Sequence, residues 1–321
     1  MFRWAAILGL LGLAAATAII VGSGIGDVAL ALKEAGWGIV WVAAFHLITL
    51  VTAAYGWRLL VPGKNRPTLT TFIYFIWIRA AVNNLMPVAR IGGEIASIRV
   101  MIAHGMRKNI AIATTVAELT LSVVAVFVFV TVGVLLFALR VSDKNTLLQL
   151  TWGLVLSLPL IVAFVLVQNM GFFGILSRLF RTAFRNKWAG MAGDAARLDR
   201  AVMVIYRRKK RALACAFWQF VSWVLGTGEV WLALYFLGHP LSLTESFMIE
   251  ALIQGSVSAA FAVPAALGVQ EAGFLVFGGM LGLSPDVAAA LAVIRRCRDL
   301  LCYAPGLIAW QAHEGKRLLK L

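Results

Sequence analysis

Unbroken apolar runs dominate this chain. Residues 4–26 carry no side chain that is charged near neutral pH, 35–57 carry only His46, and 119–139 and 145–177 carry none. Each run reaches the roughly 20 residues that a helix needs to cross the hydrocarbon core of a bilayer. The pattern predicts six full membrane helices, near 4–23, 36–59, 109–139, 148–170, 212–236 and 286–310.

Two further stretches break that pattern. Segment 70–98 is apolar at both ends, but Arg79, Asn83, Asn84, Pro87, Arg90, Gly92, Gly93 and Glu94 interrupt its middle. Segment 245–281 is interrupted around Pro264 and Gly268. Proline removes a backbone donor and clashes with the preceding turn, and glycine lets backbones approach closely. Basic residues flank the first stretch on both sides, Lys64 and Arg66 before it and Arg99, Arg107 and Lys108 after it. One straight helix cannot start and finish on the same side of a membrane. Each stretch is therefore expected to be a re-entrant hairpin of two half-length helices. The expected fold is an all-α polytopic membrane protein, a single membrane domain over 1–321, with about six full transmembrane helices plus two re-entrant hairpins.

Composition fits a membrane chain. Hydrophobic residues make up 61% and charged residues 13%, against about 25% charged in soluble domains. The net charge of +15 raises the question of nucleic acid, but its distribution answers it. Between Gly171 and Arg211, eleven Lys or Arg stand against Asp194 and Asp199, and most other cations sit at span ends. That is the positive-inside pattern. Segment 171–211 is read as cytoplasmic, with anionic lipid headgroups as its polyanion and no nucleic acid as partner. Apolar residues interleaved with Arg178, Arg181 and Arg185 suggest an interfacial helix there. Both termini are expected on the cytoplasmic side of the inner (plasma) membrane, from Arg3 at one end and Lys316, Arg317 and Lys320 at the other.

The two irregular stretches match each other. Pro87 is followed by Glu94 and Pro264 by Glu271, each seven residues on. Gly105 and Gly282 then follow the glutamates at the same spacing, and at that offset Glu118 falls opposite Arg295. With the first hairpin assigned inside and the second outside, the halves 1–139 and 148–310 form an inverted repeat with broken helices. That is a signature of alternating-access transporters.

A charge near the bilayer centre costs about 2.5–3.5 kcal/mol even on insertion scales. Arg79, Arg90, Glu94, Glu118, Glu229, Glu250, Glu271, Arg295, Arg296, Arg298 and Asp299 therefore need partners or a polar cavity. Together with Asn83 and Asn84 they are the candidate substrate path, with Pro87, Gly92, Gly93, Pro264 and Gly268 as helix breaks. Arg295 and Asp299, one turn apart, are candidates to neutralise each other, and Glu118 and Arg295 to pair across the repeat. His46, His104, His239 and His313 stand apart from carboxylates at metal-ligand spacing, and Cys215, Cys297 and Cys302 show none. No metal, no cofactor and no nucleophilic catalytic arrangement is expected.

The segment Asn83-Asn84-Leu85-Met86-Pro87-Val88-Ala89-Arg90-Ile91-Gly92-Gly93-Glu94, followed by Arg99, resembles the lysylphosphatidylglycerol synthase transmembrane region, or flippase-like, family. Pro264 through Gly268 to Glu271, and then Arg295 or Arg296, resembles its C-terminal half, so the likeness covers about residues 5–315. Length and the basic stretch look most like the subgroup associated with hopanoid biosynthesis. The resemblance implies movement of a lipid between leaflets, the cargo being a hopanoid, its polar precursor or a phospholipid. Larger members carry an aminoacyltransferase domain that has no counterpart here, so lysyl transfer is not implied. The alternative is an accessory or enzymatic membrane subunit of lipid biosynthesis, in company with other lipid-biosynthetic proteins.

Overall fold

The computed structural model describes residues 33, 35–63, 66–86, 92–140, 148, 151–152, 155, 158, 189–260, 263, 266 and 268–318. The expected first span, most of the expected span over 148–170 and the interfacial helix before residue 189 lie outside the described residues. Nine helices make up the described part: α1 (Gly38–Leu60), α2 (Leu69–Leu85), α3 (Gly92–Ala103), α4 (Lys108–Ala138), α5 (Ala189–Arg207), α6 (Lys209–Phe236), α7 (Leu243–Ala259), α8 (Val269–Met280) and α9 (Pro285–Leu318). The expectation of an all-α protein matches this.

The expectation of six full spans and two re-entrant hairpins does not. Among the described residues only α1 and α4 are long and apolar enough to cross a membrane. α6 and α9 have the length, at 28 and 34 residues, but their sequences are broken by charge. α6 opens on Lys209, Lys210 and Arg211 and carries Glu229, and α9 carries Arg295, Arg296, Arg298 and Asp299. α2 and α3, with 17 and 12 residues, and α7 and α8, also with 17 and 12, pack into a bundle rich in contacts between helices distant in sequence, as in a globular fold. Two candidate spans do not make the clear multi-pass topology expected with both termini cytoplasmic, and that assignment is likewise corrected.

Local chemistry explains several helix ends. The Thr68 hydroxyl accepts from the Thr71 backbone N–H at the start of α2. Ser242 and Glu245 form a capping box at the start of α7, each side chain satisfying the other's backbone donor, as Ser and Glu at this spacing do generally. α6 packs along α1 and α4, α9 along α2, α1 and α8, and α7 along α4, α6 and α8.

The core comes in two main apolar clusters. One gathers Trp57, Phe72, Phe75, Ile78, Val100, Met101 and Ala117 from α1 to α4, with Cys215 and Tyr303. The other gathers Val42, Val230, Leu234, Ile253, Phe274, Leu291 and Ile294. Large apolar side chains also remain exposed on the outside, among them Trp41, Leu47 and Ile48 on α1 and Leu119, Val128 and Leu135 on α4. Apolar faces of that extent are rare on monomeric soluble proteins.

Candidate functional site

Ten of the residues singled out by their cost in an apolar helix line one cavity of about 370 Å³: Arg79, Asn83, Asn84, Glu94, Glu118, Glu229, Glu250, Arg295, Arg298 and Asp299. Arg90, Pro87 and Pro264 lie outside the described residues. Glu271 and Arg296 pair beside the cavity rather than on its lining.

At one side of the cavity, Arg79 reaches from α2 to α4. Its two terminal nitrogens bond both oxygens of Glu118, one of them at 3.0 Å. The guanidinium carbon lies 4.6 Å from the centre of the Trp57 ring, where the ring face attracts a cation. Gln219 of α6 donates to Glu118 Oε1 at 2.8 Å. Planar guanidinium matches carboxylate in this two-bond geometry. Glu118 is 1% exposed, so the pair is what makes its burial tolerable.

Next to it, Asn83 clamps the start of α3. Its carbonyl oxygen accepts from the Gly93 N–H at 2.8 Å, and its amide donates to both Glu94 oxygens at 3.2 and 3.3 Å. A Cβ at Gly93 would overlap the Arg79 carbonyl oxygen and the Asn83 amide, so only glycine lets α3 come this close to α2. Asn84 turns back to the Ala80 carbonyl, at 2.9 Å.

On the other side, three arginines of α9 meet carboxylates from three other helices. Arg295 bonds Glu250 at 2.7 Å and lies 3.7 Å from Glu229. Arg298 lies 3.2 Å from Glu229 and 3.2 Å from Asp299. Arg296 bonds Glu271 at 2.8 Å. Gly268, at φ 79°, turns its N–H onto the other Glu271 oxygen at 2.8 Å. That left-handed backbone favours glycine.

Two expected pairings are corrected here. Glu118 is held by Arg79, not by Arg295. Arg295 turns to Glu250 and Glu229, while Asp299 is held by Arg298. Glu118 lies ten residues after the first residue of α4, and Arg295 ten after that of α9. Glu118 pairs with one 17-residue helix, α2, and Arg295 with the other, α7, with the signs exchanged.

Sequence reasoning set His46 aside as isolated from carboxylates. In the fold its Nδ1 lies 2.7 Å from Glu229 Oε1 and its Nε2 2.6 Å from the Tyr303 hydroxyl. Arg298 Nη1 stands 2.7 Å from the same Nδ1 and 3.1 Å from Nε2, so the imidazole sits among a carboxylate, a guanidinium and a phenol. His46, Tyr303 and Glu229 are all buried and all line the cavity. Gln219, Gln254 and Trp223 on the lining were missed as well. The available signal for His46 was that it is the only residue in the whole 35–57 run able to carry charge near neutral pH. Among the described residues no group of three or more His, Cys, Asp or Glu side chains is placed to hold a metal ion.

Residues 6–306 match the lysylphosphatidylglycerol synthase TM region family. The chain belongs to that family. The match is to the family as a whole, reaching no hopanoid-associated subgroup, and it ties the chain to lipid and membrane in general terms. In this member of the lysylphosphatidylglycerol synthase TM region family, the matched residues include every cavity-lining charge described above. No curated protein and no solved structure matches the chain.

Proposed function

We propose that this protein moves a polar-headed lipid across the membrane, the headgroup passing through the central cavity while the tails stay on the apolar exterior. The observation that supports this reading is the cavity itself, about 370 Å³, lined by charged residues drawn from six helices inside an otherwise apolar bundle. Charges in such surroundings carry a desolvation cost, and a route for polar groups accounts for their presence. Membership of a lipid-associated membrane family points the same way. The resemblance read from the sequence puts forward hopanoids, polar hopanoid precursors and phospholipids as cargo.

The test is reconstitution into vesicles with a chemically trapped lipid of each class, scoring exchange between leaflets. Exchange above protein-free vesicles is expected for at least one class, and its absence for all of them would sink the reading. Glu94→Gln and Glu271→Gln are expected to lower exchange by more than they lower the amount of folded protein. Equal losses of both would make these carboxylates structural.

A second reading has its own observation. The Tyr303–His46–Glu229 chain has the spacing of a proton relay, at 2.6 and 2.7 Å, which suits an enzymatic subunit acting on lipid. Chemical change of the lipid without leaflet exchange, abolished by His46→Gln, would select it.

A further inference from the structure

A second cavity, of about 610 Å³, opens where α4 begins. It lies between the first turns of α4, Pro62 just past α1, and the last turns of α5, and shares no lining residue with the central cavity. Its charged lining is of one sign: Arg107 just before α4, Lys108 at its start, and Arg197 and Arg200 from α5. Asp199 adjoins Arg200 in the chain but is not on the lining. Ile110, Val204 and Ile205 give the groove an apolar floor.

Further cations adjoin these residues along the chain. Arg58 stands four residues before Pro62, and Arg208 three after Ile205. Arg66, in the loop after α1, is held below its ordinary value by partial burial and then by Arg211, Arg58 and Arg208. Like charges packed this way repel one another, and an anion would relieve them. The start of α4 has no side-chain cap, and the positive end of its dipole adds to the same field.

We propose that this groove binds the phosphate of an anionic membrane phospholipid, with the glycerol and first acyl carbons on its apolar floor. The choice of a lipid over free phosphate rests on two features. α4 is one of the two candidate spans, so its first turn belongs at the depth of lipid headgroups. The floor offers nothing to a bare inorganic ion and a dry surface to an acyl chain. The site is distinct from the headgroup path of the central cavity, and it goes beyond the transport reading: it concerns a resident lipid that anchors the basic end of the protein.

The experiment measures binding of phosphatidylglycerol and of phosphatidylcholine with identical acyl chains to the full chain in neutral detergent. A cation near an anionic lipid surface contributes enough for about a fivefold change in affinity. Arg107→Gln with Arg200→Gln is therefore expected to weaken phosphatidylglycerol binding on the order of 25-fold and to leave phosphatidylcholine unchanged. Arg140→Gln, at the far end of α4, is expected to change neither. Equal binding of the two lipids by the unaltered protein overturns the proposal, as does undiminished phosphatidylglycerol binding in the double variant. Full competition by millimolar inorganic phosphate overturns the choice of a lipid. Should the double variant not fold, the salt dependence of the unaltered protein decides: the preference for phosphatidylglycerol must shrink as ionic strength rises.

Discussion

Arg79 has three kinds of partner at once: a carboxylate in Glu118, an aromatic face in Trp57 and, through its own carbonyl, the close approach of Gly93. Removing either member of a buried ion pair strands the other, at a cost of about 3–5 kcal/mol. Glu118→Ala and Arg79→Ala are each expected to lower the melting temperature in detergent clearly, and the double variant to fall by less than the sum of the two. Strict additivity would show that the pair carries no coupling. At this scale the sequence was informative about which residues matter and poor about whom they touch. An arginine in an apolar helix announces its need for a partner through its desolvation cost alone. Which carboxylate answers depends on the rotation and tilt of neighbouring helices, and spacing along one chain does not encode those. Hence Arg295 goes to Glu250 and Glu229 rather than to Asp299 one turn away. His46 shows the opposite failure, a single polar group whose partners come from α6 and α9, 183 and 257 positions distant.

At the scale of the element, the start of α7 gives a clean test. Ser242 and Glu245 satisfy each other's backbone donors there, and Arg140 adds an ion pair at 3.4 Å. Ser242→Ala is expected to cost about 1 kcal/mol, the usual loss for a helix cap. The Ser242 hydroxyl and backbone N–H, with Arg140 assisting, hold the Glu245 carboxyl below its ordinary value of 4.5. A carboxyl depressed in the folded protein contributes stability above its unfolded value. That contribution fades as pH falls through 4.5 and toward the depressed folded value. The stability difference between the parent and Ser242→Ala should therefore narrow in that acid range, and a difference constant with pH would disprove the carboxylate's part. Helix interruptions near residues 86 and 260 were legible from proline and glycine. The number of spans was not. Apolar composition alone does not separate a helix facing lipid from one facing other helices, and α6 and α9 bury Glu229 and Arg298 against each other.

The molecule as a whole is organised around the polar layer between its two main apolar clusters. α1 contributes Val42 to one cluster and Leu50 and Trp57 to the other, with His46 between them. α6 runs from Cys215 to Val230 and Leu234, with Gln219 and Glu229 in between. α9 runs from Leu291 and Ile294 to Cys302 and Tyr303, with Arg298 and Asp299 between. α4 passes Glu118 and Ser122 on its way from Ala117, in the first cluster, to Val134, in a third and smaller one with Phe137, Met248 and Leu252. Four long helices thus cross the same layer partway along their length.

Such a layer acts as a waist. Above and below it the helices are gripped by close-packed apolar side chains, which resist deformation; at the waist they are gripped by directional bonds that can be exchanged for bonds to water. If the two ends of the bundle pivot, they pivot there, and all four helices bend at one level rather than each at its own. Hydrogen exchange offers the reading: amides near His46, Ser122, Trp223 and Arg298 should exchange faster than those about two turns to either side in the same helices. Uniform protection along the four helices would mean a rigid bundle that carries its polar layer as a fixed girdle.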